Sequence, residues 1–227
     1  MKAIDTALYH RVLLPEHAKA GRHPTLIMLH GRGADEEDLL GLAPYLDDRF
    51  LILSPRAPNP FPSGGGFTWY DVGSLGVPDA ATFAASYGSL DRFVADAIAG
   101  YPVDAANVFL FGFSMGSVMS YALALTKPRL FRGVVANSGY IPEGTSLELQ
   151  WKSLAGLEFL VTHGTEDPII PVEMARHAKE LFDHSTAAVT YREYPMGHQI
   201  SEESLADVNG WLTQRLPGRQ ETLRASE

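Results

Sequence analysis

Cysteine is absent from all 227 residues. That absence removes disulfide frameworks, thiolate metal sites and cysteine nucleophiles together, and it suits a reducing compartment. No apolar run approaches the roughly 18 residues that a membrane span needs, so stable membrane insertion is not expected. The opening stretch MKAIDTALYHRVLLPEHAKA has neither the apolar core nor the small-residue cleavage site of a secretory signal. Positive charge is in deficit: 18 Lys and Arg stand against 27 Asp and Glu, a formal net charge of −9. A polyanion such as nucleic acid, or an anionic membrane, is therefore a poor general partner. The His-Glu-x-x-His spacing of a helix-borne zinc site is missing as well. A soluble, cytoplasmic protein is the expectation.

What is present is an ordinary globular composition, 45% apolar and 20% charged, in a length that fits one large domain over 1–227. Short β-rich runs alternate with longer helical patterns. LYHRVLLP reads as an early edge strand, and TLIMLHG, FLILSPRAP, NVFLFG, FRGVVANSG, LEFLVTHG and AVTYREYP as further strands. Helices are predicted for ADEEDLLGLAPYL, whose acidic first turn suits the helix dipole, and for Ala81 to Gly100, where Phe83, Tyr87, Leu90, Phe93, Val94 and Ile98 fall near helical spacing. Further helices are predicted for Ser117 to Leu125, Pro171 to Phe182 and Glu202 to Leu216. Such alternation predicts an α/β fold with a central, mostly parallel sheet covered by helices on both faces. The polar tail over 218–227 is expected to fray.

One stretch breaks this rhythm. SPRAPNPFPSGGGFTWYDVGSLGVPDA, from Ser54 to Ala80, is too rich in proline and glycine for regular structure. Long irregular segments inside a compact domain are usually functional. Its aromatic residues seek burial or a ligand, so a binding loop is expected, lining a pocket or forming a subunit contact such as a homodimer.

The chemistry is concentrated in VFLFGFSMGSVMSYALAL, Val108 to Leu125. Gly112-Phe113-Ser114-Met115-Gly116 places one hydroxyl between two glycines where a buried strand meets a helix, the pattern of a nucleophile elbow. So sharp a turn strains the serine and demands small residues two positions before and after it. It also sets the Ser114 oxygen at a helix N-terminus, where amide hydrogens and the dipole stabilise developing negative charge.

A serine hydroxyl is a weak nucleophile and needs a base. Of the eight histidines, His163, His177, His184 and His198 follow Ser114. His177 and His184 lie in or beside a helix of mixed polarity and read as surface positions. His163 closes a strand and is expected to help shape the loop after it. His198 sits between the last strand and the last helix, at the carboxyl end of the sheet where α/β folds gather their chemistry, and is the leading candidate. LVTHGTEDPIIP supplies Glu166 and Asp167 as candidate orienting acids, with an Asp-Pro step that sets a turn. An oxyanion hole would use the N–H of Met115 and an N–H from the loop after an early strand. His30-Gly31-Arg32-Gly33 fits that loop, with Arg32 N–H as the second donor.

These residues carry a resemblance. LHGRGADEEDLL, FGFSMGSVMSYALAL, HGTEDPIIPVEMA and GHQISEESL resemble, in order and across most of the chain, the phospholipase/carboxylesterase branch of the α/β-hydrolases, which includes acyl-protein thioesterases. The resemblance implies an α/β-hydrolase fold without a large lid domain, and serine hydrolysis of carboxylic esters or thioesters without metal or cofactor. It selects Asp167 over Glu166, completing a Ser114–His198–Asp167 triad. RAPNPFPSGGGFTWYD resembles the family stretch bordering the acyl site, which makes Phe67 and Trp69, with Met115, candidate substrate contacts. Two positions depart from the family pattern. Met115 stands where glutamine is common, which makes the wall more apolar. Arg32 stands where an apolar residue, commonly leucine, is usual, and has two readings: selection of anionic substrates, or an ion pair with Asp35 or Glu36.

A small-molecule ester or thioester is the expected substrate. A histidine base must be neutral to start, so the rate is expected to fall as pH drops through the imidazole range, roughly 6 to 7. Rival readings are a peptidase or a dedicated thioesterase on the same fold, and a non-catalytic binding protein on a hydrolase scaffold.

Overall fold

The computed structural model describes residues 3–16, 21–74 and 76–218. The predicted frayed tail lies, apart from Gly218, outside the described residues.

Seven strands form one sheet in the order β1-β3-β2-β8-β9-β10-β11. β1 (His10–Leu13) runs antiparallel to β3 (Leu51–Pro55) at one edge. β2 (His23–Leu29) pairs in parallel with β3 and with β8 (Val103–Phe113). β9 (Gly133–Asn137), β10 (Glu158–Gly164) and β11 (Ala188–Tyr194) continue the parallel ladder. The segment read as irregular contains two small antiparallel ribbons, β4 (Asn59–Pro60) with β5 (Phe67–Thr68), and β6 (Val72–Ser74) with β7 (Val77–Pro78).

Alternation along the strands divides the core. In β2, Ile27 and Leu29 face one apolar layer and Leu26 and Met28 the other; in β8, Val108 and Leu110 oppose Phe109 and Phe111 in the same way. The first layer is closed by α1 (Ala80–Gly100), α2 (Met115–Thr126) and α3 (Val172–Asp183). The second is closed by α4 (Glu202–Arg215) and a 3-10 helix over Leu39–Tyr45. With both faces covered, the central strands are apolar throughout rather than alternating with polar residues. Asp79 caps α1 by accepting the Thr82 amide hydrogen at 2.9 Å, and Ser201 forms a reciprocal cap with Ser204 on α4.

Two expectations change. ADEEDLLGLAPYL forms turns and then the 3-10 helix, not an α-helix. Pro44 lies inside it and has no N–H to give, so an α-helical bond at that position cannot form. Pro171 stands just before α3 as its cap, and the helix proper starts at Val172.

Candidate active site

The junction of β8 and α2 explains the two glycines. Ser114 has φ 54° and ψ −120°, a conformation that L-residues adopt only when their surroundings enforce it. A Cβ on Gly112 would strike the Gly116 backbone and lie 2.5 Å from Ser117 N, and one on Gly116 would strike the Leu29 carbonyl of β2. Only the bare backbone lets α2 start this close to the sheet. Hydrogen bonds hold the turn: Ser114 N–H donates to Asn137 O at 3.0 Å, and the one hydroxyl hydrogen of Ser117 is shared by Gly112 O and Asn137 O, each 2.7 Å from Oγ.

The loops after β10 and β11 bring the other groups to the serine. His198 Nε2 lies 2.9 Å from Ser114 Oγ, and His198 Nδ1 lies 2.6 Å from Asp167 Oδ2. Asp167 Oδ1 accepts the amide hydrogens of Ile169 at 2.8 Å and Ile170 at 2.9 Å. Burial pushes the Asp167 carboxyl up, but the hydrogen bonds from His198, Ile170 and Ile169 outweigh it and bring its pKa below the usual value. An ionised carboxylate only accepts, so Nδ1 of His198 carries a hydrogen, and when the ring is neutral Nε2 offers its lone pair to the serine hydroxyl. Phe113 packs beside the imidazole with ring centroids 5.0 Å apart.

His163 is fully buried behind this group. Its Nε2–H donates to Ile170 O at 2.7 Å and lies 3.4 Å from Asp167 Oδ2. Burial lowers its pKa, so it braces the acid loop as a neutral ring. His177 is exposed and pairs with Glu143 at 2.6 Å, and His184 is exposed at the end of α3.

The Gly31–Ala34 loop closes over the serine: a methyl group at Gly31 would sit 3.5 Å from Ser114 Cβ. His30 anchors it from below. Its Nε2 accepts the Ala57 amide hydrogen at 3.0 Å, so its Nδ1–H donates to Gly31 O at 2.7 Å. Among the described residues, no acceptor lies against the backbone N–H of Arg32 or of Met115. Both residues line a cleft of about 560 Å³ that also exposes Ser114 and His198.

Three expectations about this region are corrected. Trp69 does not line the cleft. It is fully buried, and its Nε1–H donates to His30 O at 2.9 Å, supporting the loop from inside. Phe67 does not line it either; its backbone pairs with Gly33 at 2.8 Å and Ala34 at 2.7 Å, and the Arg56 guanidinium covers its ring at 4.4 Å. Arg32 makes no ion pair with Asp35 or Glu36. Glu36 is taken by Arg56 through bonds of 2.5 and 2.6 Å, and Arg32 lies instead over the Phe61 ring at 4.9 Å. Met115 does line the cleft, with Thr68 Oγ1 3.3 Å from its sulfur. Sequence reasoning missed Tyr140 and Ile169 on the lining, and named Tyr70 and Val72 only as part of the Ser54–Ala80 binding loop, not as site residues. Tyr140 follows the carboxyl end of β9, which is the one sequence-level signal that points to it.

A parallel sheet wound in this order, with a strained serine at one strand end and a histidine and an acid from later strand ends, defines an α/β-hydrolase. Comparison with known proteins agrees. Residues 14–216 match the family model described as Phospholipase/Carboxylesterase. Acyl-protein thioesterase 1 of Debaryomyces hansenii is 31% identical over 177 residues, covering 73% of this chain and 76% of its own. Carboxylesterase SOBER1 of Arabidopsis thaliana is 28% identical over 181 residues, covering 75% and 79%. The Bacillus cereus carboxylesterase has the same fold at TM-score 0.81 and 24% identity, over 92% of this chain and 95% of that one. The chain belongs to the phospholipase/carboxylesterase family and is a carboxylic ester hydrolase. Among the described residues, no helix is long and apolar enough to cross a membrane.

Proposed function

We propose that the chain hydrolyses small carboxylic esters or thioesters through an acyl-enzyme on Ser114, with His198 as base and Asp167 as its orienting acid. The observation that carries this reading is the single imidazole bridging Ser114 Oγ at 2.9 Å and Asp167 Oδ2 at 2.6 Å. Ser114 Oγ bonds to the carbonyl carbon while its proton passes to His198 Nε2. The carbonyl oxygen becomes an oxyanion that accepts from Arg32 N–H and Met115 N–H; one such donor is worth about 2.7–4 kcal/mol in the transition state. The bond to the alcohol or thiol then breaks, and the leaving atom takes the proton from Nε2. Water attacks the acyl-enzyme, gives its proton to the same nitrogen, and the acid departs as Ser114 recovers its hydrogen.

The test is labelling by a fluorophosphonate, which reacts only with an activated serine. Wild-type protein should label, and Ser114→Ala should neither label nor turn over a p-nitrophenyl ester. A folded wild-type protein that fails to label would reject the acyl-enzyme. Esters, acyl-CoA thioesters and peptide amides compared side by side separate the substrate classes.

A further inference from the structure

The lining of the cleft carries two polar features that the acyl-enzyme chemistry leaves unused. The first is the side chain of Arg32. Its backbone N–H is placed in the oxyanion hole above, but its guanidinium is exposed and, among the described residues, meets no carboxylate; its recorded contact is the face of Phe61. The second is a pair of buried phenols, with Tyr70 Oη and Tyr140 Oη 3.2 Å apart. Burial pushes both pKa values up, that of Tyr70 well above the ordinary phenol, so both hydroxyls keep their hydrogens. Two O–H groups share one contact. One hydrogen is donated across it, and the other has no acceptor among the described residues. Arg32 and both phenols line the same cleft.

We infer that the cleft selects small esters that carry a carboxylate, held by the Arg32 guanidinium together with the unused O–H of the Tyr70–Tyr140 pair. This rests on the acyl-enzyme reading and names its substrate class. A cation and a neutral donor make a site for an anion, whereas an aliphatic chain would leave the buried phenolic O–H without a partner, at a cost. The rest of the lining, with Met115, Phe113, Val72 and Ile169, suits the short apolar body of such an ester. Asp38 also lines the cleft, and its carboxyl pKa is raised chiefly by burial, which favours the neutral form. The overall charge of −9 repels anions at long range, so the selection operates at contact and not through steering.

The carboxylate could belong to the acyl part or to the alcohol part, and two substrate pairs distinguish these. Monoethyl succinate against ethyl succinamate places the charge on the acyl side. Acetoxyacetate against acetoxyacetamide places it on the alcohol side. The readout is the ratio of kcat/KM, anionic over neutral, in wild type, Arg32→Leu, Arg32→Gln and Tyr140→Phe. The ratio in at least one pair should exceed unity and fall roughly five- to tenfold in both Arg32 variants, the scale of one charge-assisted contact at a partly open site. It should fall less in Tyr140→Phe, and it should shrink as ionic strength rises. Wild-type ratios of one or below in both pairs, or ratios that the Arg32 variants leave unchanged, overturn the inference; Ser114 would still label and the acyl-enzyme reading would stand. Absence of both labelling and turnover in folded wild type removes the acyl-enzyme reading and this inference with it.

Discussion

Replacing Asp167 by Asn tests the orienting role with almost no change in volume. Two amide hydrogens, from Ile169 and Ile170, point at one oxygen of residue 167, and the His198 ring points at the other. An asparagine must place its carbonyl oxygen on the two amides, because the opposite orientation sets its NH2 against them and leaves buried donors unsatisfied at about 1–3 kcal/mol each. Its NH2 then faces His198 Nδ1. That nitrogen must become the acceptor, so the ring hydrogen moves to Nε2 and points at Ser114, where a base is needed. A triad in the wrong tautomer loses on the order of 10⁴-fold in kcat, about 5.5 kcal/mol of barrier. The assay is kcat on a p-nitrophenyl ester together with the rate of fluorophosphonate labelling, with thermal unfolding as the control for folding. A folded Asp167→Asn protein within about tenfold of wild type in kcat would refute this account of the tautomer.

Two further outcomes follow from the same geometry. Trp69→Phe removes the donor to His30 O but touches no cleft surface, so it should lower stability by about 1–2 kcal/mol while relative rates across a series of ester chain lengths stay the same; a changed chain-length preference at unchanged stability would return Trp69 to the substrate site. The second outcome concerns acid stability. Hydrogen bonding to Arg176, against opposing burial and with help from the Tyr191 hydroxyl, holds the Glu193 carboxyl at about 2 against an ordinary 4.5. A depressed carboxyl stabilises the fold above its unfolded pKa and loses that contribution as pH falls through the folded one. Glu193→Gln should therefore be less stable than wild type above about pH 4.5, with the gap closing towards pH 2. A gap that is constant over that window would show that the pair does not titrate as described.

Much of the site was legible because its constraints are local. The glycines at 112 and 116 are dictated by backbone contacts within a few residues and by one neighbouring strand. His198, and Glu166 or Asp167 as its acid, could be proposed because loops after parallel strands all emerge at the same edge of the sheet; the family resemblance chose Asp167. The failures are of another kind. The acidic stretch after β2 has helical composition, but it forms turns and then a 3-10 helix, with Pro44 in its last turn barring an α-helical bond there. Trp69 and Tyr70 are adjacent in sequence and equally aromatic, yet Tyr70 lines the cleft and Trp69 is packed beneath the Gly31–Ala34 loop. The partner of Glu36 proved to be Arg56, at the end of a neighbouring strand, and not the nearby Arg32.

Composition, hydrophobic alternation and the elbow motif determined by themselves the sheet-and-helix architecture and pointed to Ser114, to His198 and to an acid at 166 or 167 as candidates, because each depends on short-range sterics or on the direction in which parallel strands run. Only the tertiary structure decided which way the side chains of the long Ser54–Ala80 segment turn, which charges pair, and that Arg32 is left facing the cleft. Those outcomes are set by competition among groups distant in the chain, and no local pattern records which competitor wins.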